Sequence, residues 1–326
     1  MRVVRQLNHS FEEIICLDNL LAAWREFARG KRGKKDVQEF EWSLMDNIIA
    51  LQDDLASGNY RHGDYKDFHI DDPKPRHIHK AGVRDRLVHH AVYRILYPYF
   101  DKKFIADSYS CRLDKGTCKA LNRFRQFAYQ VGRNNTRACW ILKGDIRKFF
   151  ASIDQRILKI ILAEYIGDKK ILDLLDKIIN SFGITSRGLP LGNLTSQLLV
   201  NIYMNKFDQF VKNQLKAKYY IRYADDFIIF SENKNYLDAL IPQLDYYLTD
   251  KLKLKLHPNK IFIKTLGSGV DFLGWVNFPH HRVLRTVTKR RMLKRIGINP
   301  SRETLASYLG LLSHGNTYKL LVKLPI

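Results

Sequence analysis

The sequence predicts an α+β fold, and three features carry that prediction. Residues 218–231 read KYYIRYADDFIIFS. Two aromatic, β-favouring runs flank Ala224-Asp225-Asp226, the pattern of a hairpin with two carboxylates at its tip. Trp140-Ile141-Leu142-Lys143-Gly144 reads as an apolar strand that ends in Asp145. Around these strands apolar residues recur at helical spacing, as in Leu17, Leu20, Leu21 and Trp24, and again in Phe40, Leu44, Ile48, Leu51 and Leu55. Asp225 and Asp226 repel one another unless a cation sits between them, and hard divalent ions take carboxylate oxygens. A solvated Asp-Asp turn is the other reading of the hairpin alone. Asp145, far upstream at a strand end, favours the metal, because three carboxylates can converge on one pair of ions.

In chain order, residues 1–60 read as helical, with a basic connector at Arg29–Lys35 that is either a solvated loop or a phosphate contact. Gly58-Asn59 supplies turn chemistry. Residues 60–81 alternate polar and apolar positions and read as extended. Six histidines fall between His62 and His90. Their spacings match no zinc pattern, so they read as surface or packed residues. Leu87, Ala91 and Ile95 mark a helix face that Pro98 is expected to end. Arg84 and Arg86 in its first turn oppose the macrodipole, which suggests an anionic ligand or simple solvation. Lys115-Gly116-Thr117 opens a helix where Lys119, Arg123 and Arg125 interleave with Phe124, Phe127 and Tyr129. That pattern suits a nucleic-acid groove or any amphipathic surface helix. Asp154 is placed to cap the next helix. Gly188 and Gly192 bracket Leu-Pro-Leu, and Asn193 or Thr195 caps a long helix that buries Leu199, Tyr203, Phe207 and Phe210. Beyond the hairpin, 235–253 reads as helix, 254–263 as strand, Pro-Asn turn and strand, and Phe272-Leu273-Gly274-Trp275 as a short strand. The tail from Arg282 is very basic and ends in a helical stretch.

The charge narrows the class. Among 326 residues there are 55 Lys plus Arg against 33 Asp plus Glu, a formal net charge of +22. That excess points to a polyanionic partner, usually nucleic acid. No apolar run approaches the ~18 residues of a membrane span, and no basic amphipathic helix stands out. Glu12, Glu13 and Asp18 interrupt what would be a signal peptide's apolar core. Cys16, Cys111, Cys118 and Cys139 are scattered without a CxxC pair and read as reduced thiols, so the expected compartment is cytoplasmic.

Taken together, these segments resemble the successive sequence blocks of reverse transcriptases. LKGDIRKFFASID around Asp145 resembles the first palm motif, GLPLGNLTSQ the loop and helix that follow, YADDF the catalytic hairpin, and HPNK and FLGW two later palm motifs. The blocks run in order over about residues 60–326. Most reverse transcriptases carry glutamine before the glycine of the Leu-Pro-x-Gly loop, whereas this chain has Leu191. Its helix begins Thr195-Ser196-Gln197, where many bacterial relatives have Ser-Pro. This combination resembles the reverse transcriptases of diversity-generating retroelements. The length also leaves no room after the thumb for a nuclease or maturase domain.

The resemblance implies a right-hand polymerase fold: an N-terminal helical extension at 1–60, fingers from 61–135, a palm at 136–278 with an interleaved fingers segment, and a short helical thumb at 279–326. It implies that Asp145, Asp225, Asp226 and the Ile146 backbone carbonyl bind two Mg²⁺ ions that activate a primer 3′-hydroxyl and stabilise leaving pyrophosphate. Arg76 and Arg84 match triphosphate-holding positions, where guanidinium forks suit phosphate. Phe150 matches the steric gate that favours dNTPs, although it or Phe149 alternatively packs the core. Leu191, Gly192 and Gln197 line the nucleotide loop, and Lys260 matches a lysine near the incoming nucleotide, a proton donor to pyrophosphate. Arg76 and Leu191 bear on fidelity, with errors expected at template adenines; packing of the loop is the other reading of Leu191. Implied partners are a template RNA, the RNA/cDNA duplex and a small basic oligomeric accessory variability protein, with no membrane. Two other readings stand beside this one. One is a retron, group II intron-like or phage-defence enzyme of ordinary fidelity; the other is a non-catalytic RNA-binding protein on a polymerase scaffold.

Overall fold

A computed structural model describes residues 6–71, 75–183, 186–297 and 301–322. Helices α1 (Phe11–Ile15), α2 (Leu17–Ala28), α3 (Lys35–Trp42) and α4 (Leu44–Ala56) occupy the N-terminal segment, as its spacing predicts. The alternating segment forms the hairpin β1 (Lys66–Ile70) and β2 (Arg76–Lys80). There follow α5 (Val83–Asp101), α6 (Thr117–Val131), β3 (Trp140–Gly144), α7 (Phe149–Ser152), α8 (Gln155–Tyr165), α9 (Lys169–Asn180) and α10 (Leu194–Gln209). Then come β4 (Tyr220–Tyr223), β5 (Asp226–Ser231), α11 (Lys234–Tyr246), β6 (Phe262–Thr265), β7 (Val270–Phe272), β8 (Trp275–Asn277) and β9 (Arg282–Leu284). Helices α12 (Thr286–Ile296), α13 (Arg302–Leu312) and α14 (Tyr318–Leu321) complete the described chain.

Several local expectations need correction, among them Phe210, which lies past the end of α10 and is half-buried. Pro98 lies inside α5 rather than ending it. A proline in a helix forfeits one bond to the carbonyl four residues back, and here buried Leu96, Tyr97 and Phe100 hold the last turn regardless. Phe272-Leu273-Gly274-Trp275 is a turn joining β7 to β8. Leu273 (φ 52) and Gly274 (φ 85) are both left-handed, the signature of a type I′ hairpin turn, and the buried pair Phe272 and Trp275 close it. Leu254–Leu256 forms no strand beyond one bridge, Ile146 to Leu256, because His257 leads into a 3₁₀ turn at Pro258–Lys260. Neither Asn193 nor Thr195 caps α10 through its side chain: Asn193 Nδ2 donates to the His79 carbonyl at 3.4 Å, and Thr195 Oγ1 meets His89 Nδ1 at 3.3 Å. Asp154 does cap α8, accepting from the Arg156 and Ile157 amides.

The chain divides into two compact units. The first comprises Met1–Ile105, Arg147–Gln209 and Tyr247–Lys255. Its centre is α5, against which α2 and α10 pack, burying Leu20, Trp24, Phe27, Leu87, Ala91, Tyr203 and Phe207. Helix α10 is buried nearly all round, which removes the amphipathic stripe of a surface helix. The second unit comprises Ala106–Ile146, Phe210–Tyr246 and Leu256–Ile326. It holds a four-stranded antiparallel sheet of order β4-β5-β3-β6 and a three-stranded sheet β7-β8-β9. Helix α6 packs on β4 and β5, and Phe124 meets the Phe230 ring edge-on at 4.9 Å. Among the described residues no helix is long and apolar enough to cross a membrane.

Candidate active site

The second unit brings Asp145, Asp225 and Asp226 to one end of its larger sheet. Strands β3 and β5 pair with Gly144 opposite Phe227. Asp145 follows Gly144 and Asp226 precedes Phe227, so both acids lie at that end of the strand pair. Gly144 is required there: a Cβ would lie 2.3 Å from the Phe227 ring. Asp225 occupies the two-residue turn between β4 and β5, closed by the pair Tyr223 and Asp226. Its neighbour Ala224 is held at φ 54, a conformation that β-carbon sterics disfavour. Arg222, only 1% exposed, secures the turn by donating to the Ala224 carbonyl at 3.1 Å and to Ser108 Oγ at 3.2 Å. The Arg222 backbone bonds in turn to Asp107 and Tyr109, so residues 107–109 brace the β4 edge.

The carboxylates are crowded and largely withdrawn from water. Burial, then the charges of Asp226 and Asp145, push the Asp225 carboxyl up to about 6. Burial raises Asp226 as well, against the pull of the Lys143 ammonium. Two lysines offset the negative charge. Lys260 Nζ donates to Asp145 Oδ1 at 3.0 Å, and Lys143 Nζ lies 3.6 Å from an Asp226 oxygen. Their side chains are 45% and 13% exposed, so Lys260 is free to swing while Lys143, also bonded to the Asp271 carbonyl, is fixed. The bonds flanking the Ile146–Leu256 bridge run from the His257 amide to the Asp145 carbonyl and from the Arg147 amide to the Lys255 carbonyl. The Ile146 carbonyl therefore takes no part in that ladder. Three carboxylates crowded at one sheet end, all oxygen and mutually repulsive, suit hard divalent cations.

The remaining predicted residues belong to the first unit. The loop at 188–193 is pressed onto β2: the Leu191 carbonyl accepts from the His79 amide at 3.0 Å, and Gly192, at φ 117, would place a Cβ 2.9 Å from Ile78. Leu191 and Gln197 are half-buried, Gln197 in the first turn of α10. Arg76 begins β2 and is exposed. The Phe150 carbonyl accepts from the Leu189 amide, which ties α7 to the same loop. Of the two phenylalanines Phe149 is buried and Phe150 half-buried, so the packing role suits Phe149 better. The anions facing the start of α5 are the protein's own: Arg84 pairs with Asp54 and lies 5.1 Å over the Tyr60 ring, and Arg86 pairs with Asp36 at 2.7 Å.

Arg222 and Lys143 also belong to the site, although neither stands out in the sequence. Arg222 is a single cation in an apolar run, and the brace at 107–109 that meets it lies more than a hundred residues away in sequence. Lys143 carried a signal, since it precedes Asp145 by two and period-2 alternation places both on one strand face.

Comparison with known proteins agrees with this geometry. Residues 71–277 match the profile of the family described as reverse transcriptase (RNA-dependent DNA polymerase). Protein YkfC of Escherichia coli K12 is 26% identical over 313 residues, covering 82% of this chain and 80% of its own. The group II intron-encoded protein LtrA of Lactococcus lactis subsp. cremoris is 24% identical over 335 residues, covering 80% of this chain; the match spans 54% of LtrA. Among solved structures, apo telomerase from Candida tropicalis, truncated from its C-terminal domain, superimposes with a TM-score of 0.52 at 14% identity, over 74% of this chain and 60% of that one. At that identity the likeness bears on the fold alone, which is the right-hand polymerase type.

Proposed function

Because this chain belongs to the reverse transcriptase family of RNA-dependent DNA polymerases, we propose that it copies a template RNA into cDNA with errors concentrated at template adenines, as the enzyme of a diversity-generating retroelement. The observation that carries the adenine reading is Leu191, which stands before Gly192 on the loop braced by β2. Glutamine at that position would hold the incoming nucleotide and its pair by polar contacts. Leucine cannot, and one or two lost hydrogen bonds of ~0.5–1.5 kcal/mol each erode discrimination by up to roughly two orders of magnitude.

Asp145, Asp225, Asp226 and the Ile146 carbonyl fit a pair of Mg²⁺ ions, which when bound activate the primer 3′-hydroxyl and stabilise the leaving pyrophosphate. Lys260, on its exposed stem beside Asp145, donates a proton to the pyrophosphate. Lys143 holds Asp226 in place. Phe150 excludes a ribose 2′-hydroxyl with its ring, and Arg76 and Arg84 grip the triphosphate of the dNTP, Arg84 by exchanging Asp54 for phosphate. Gly192 and Gln197 shape the loop under the nucleotide. In domain terms, 1–60 is an N-terminal extension, 61–135 and a segment within 136–278 form fingers, the rest of 136–278 is palm, and 279–326 is thumb. The charge of +22 suits RNA and the RNA/cDNA duplex. A small basic oligomeric accessory protein completes the assembly, in a cytoplasmic setting.

The intron-encoded relatives favour a second reading, an enzyme of ordinary fidelity. Sequencing cDNA made on a defined RNA template separates the two. The adenine reading expects substitutions clustered opposite template adenines, and expects Leu191→Gln to reduce them about tenfold or more. An even, sparse error spectrum, or a spectrum unmoved by Leu191→Gln, overturns it.

A further inference from the structure

The β1–β2 hairpin carries a second cluster with different chemistry. Its register pairs Asp67 with His79 and His69 with His77. Because side chains alternate between faces, all four share one face. Asp67 Oδ1 lies 2.6 Å from His79 Nδ1, and Asp67 Oδ2 lies 3.6 Å from His77 Nε2. One ligand atom from each of these three residues falls within 4.8 Å of the others. The His69 ring lies parallel to His77, centroids 4.5 Å apart, and Phe182 packs against His79 at 4.7 Å.

We propose that Asp67, His77 and His79 bind one borderline transition-metal ion of the Zn²⁺ class, with solvent in the fourth position. Two imidazoles and a carboxylate are the ligand types such an ion prefers, at about 2.0–2.2 Å, which sets ligand atoms roughly 3.3–3.5 Å apart in a tetrahedral site. One ligand atom from each residue already lies within 4.8 Å of the others, so small side-chain rotations bring them toward that spacing. Mg²⁺ demands an octahedral oxygen shell and is a poor competitor here. The site is thus separate in chemistry from the three carboxylates. An isolated two-stranded hairpin is marginal on its own. A bound ion staples β1 to β2 and fixes the strand that presents Arg76 and braces Leu191.

Co²⁺ titration of the full chain in excess Mg²⁺ tests this, with visible ligand-field absorption as the readout and Zn²⁺ as competitor. One tightly held, Zn²⁺-displaceable ion is expected, without a near-ultraviolet thiolate-to-cobalt band. Asp67→Asn and His77→Asn, both at exposed positions, should each weaken uptake by at least about tenfold, with unchanged circular dichroism. No uptake, or unchanged uptake in both variants, overturns the proposal. So does a thiolate band, which would move the ion to a cysteine such as Cys118, 3.0 Å from His314 Nε2.

Discussion

Asp225 stores electrostatic tension that a metal-free protein must bear. Its carboxyl is raised to about 6, chiefly by burial and by the charges of Asp226 and Asp145. The folded state therefore holds this proton more tightly than the unfolded chain, whose carboxyl titrates near 3.9. The resulting stability is complete below the unfolded value and is lost as pH rises through about 6. Without divalent metal, melting temperature should fall across that window, by the equivalent of roughly 1–3 kcal/mol, and Asp225→Asn should flatten the fall. A melting profile identical in wild type and variant would show that Asp225 carries no such tension. These carboxylates were legible in the sequence because acidic residues beside apolar strands are conspicuous. The Asp67, His77 and His79 cluster was not, because its ligands meet across a hairpin whose register the spacing does not determine.

At the scale of elements, the pairing of β3 with β5 is what brings Asp145 and Asp226 to the same sheet end, and Gly144 permits it by yielding space to the Phe227 ring. Gly144→Ala should cost about 1–3 kcal/mol from overpacking and lower polymerase activity with it, since the ring or the strand must shift. Chemical denaturation of the variant checks this, and an unchanged midpoint would mean that the pairing is looser than it looks. Most elements were predictable from period and capping, as with Asp154 at α8. The failures had physical causes. Leu273 is a poor turn former, so the apolar run around it concealed a turn that burial of Phe272 and Trp275 imposes. Pro98 looked like a helix end because local propensity is blind to the packing of Tyr97 and Phe100.

For the whole molecule, charge decides how it meets its template. An excess of +22 predicts that RNA affinity falls steeply with salt, by ~0.7–0.9 log units per neutralised phosphate for each tenfold rise. Filter binding between low and moderate salt should return a slope equivalent to several phosphates; a flat response would deny an extended RNA track. Composition disclosed the polyanionic partner and the ordered motifs disclosed the family. The brace of Arg222 by residues 107–109 stayed hidden, because it joins segments far apart in sequence. If the carboxylates at the end of the β4-β5-β3-β6 sheet join nucleotides on an RNA template, Asp225 is indispensable to the chemistry. Single-nucleotide primer extension on RNA with Mg²⁺, comparing wild type with Asp225→Asn under conditions where both are folded, tests it most directly. Wild type should add the complementary dNMP, and Asp225→Asn should be slower by about a thousandfold or more, since ~4 kcal/mol of transition-state stabilisation is withdrawn. Equal extension by the two proteins would mean that Asp225 takes no part in the reaction.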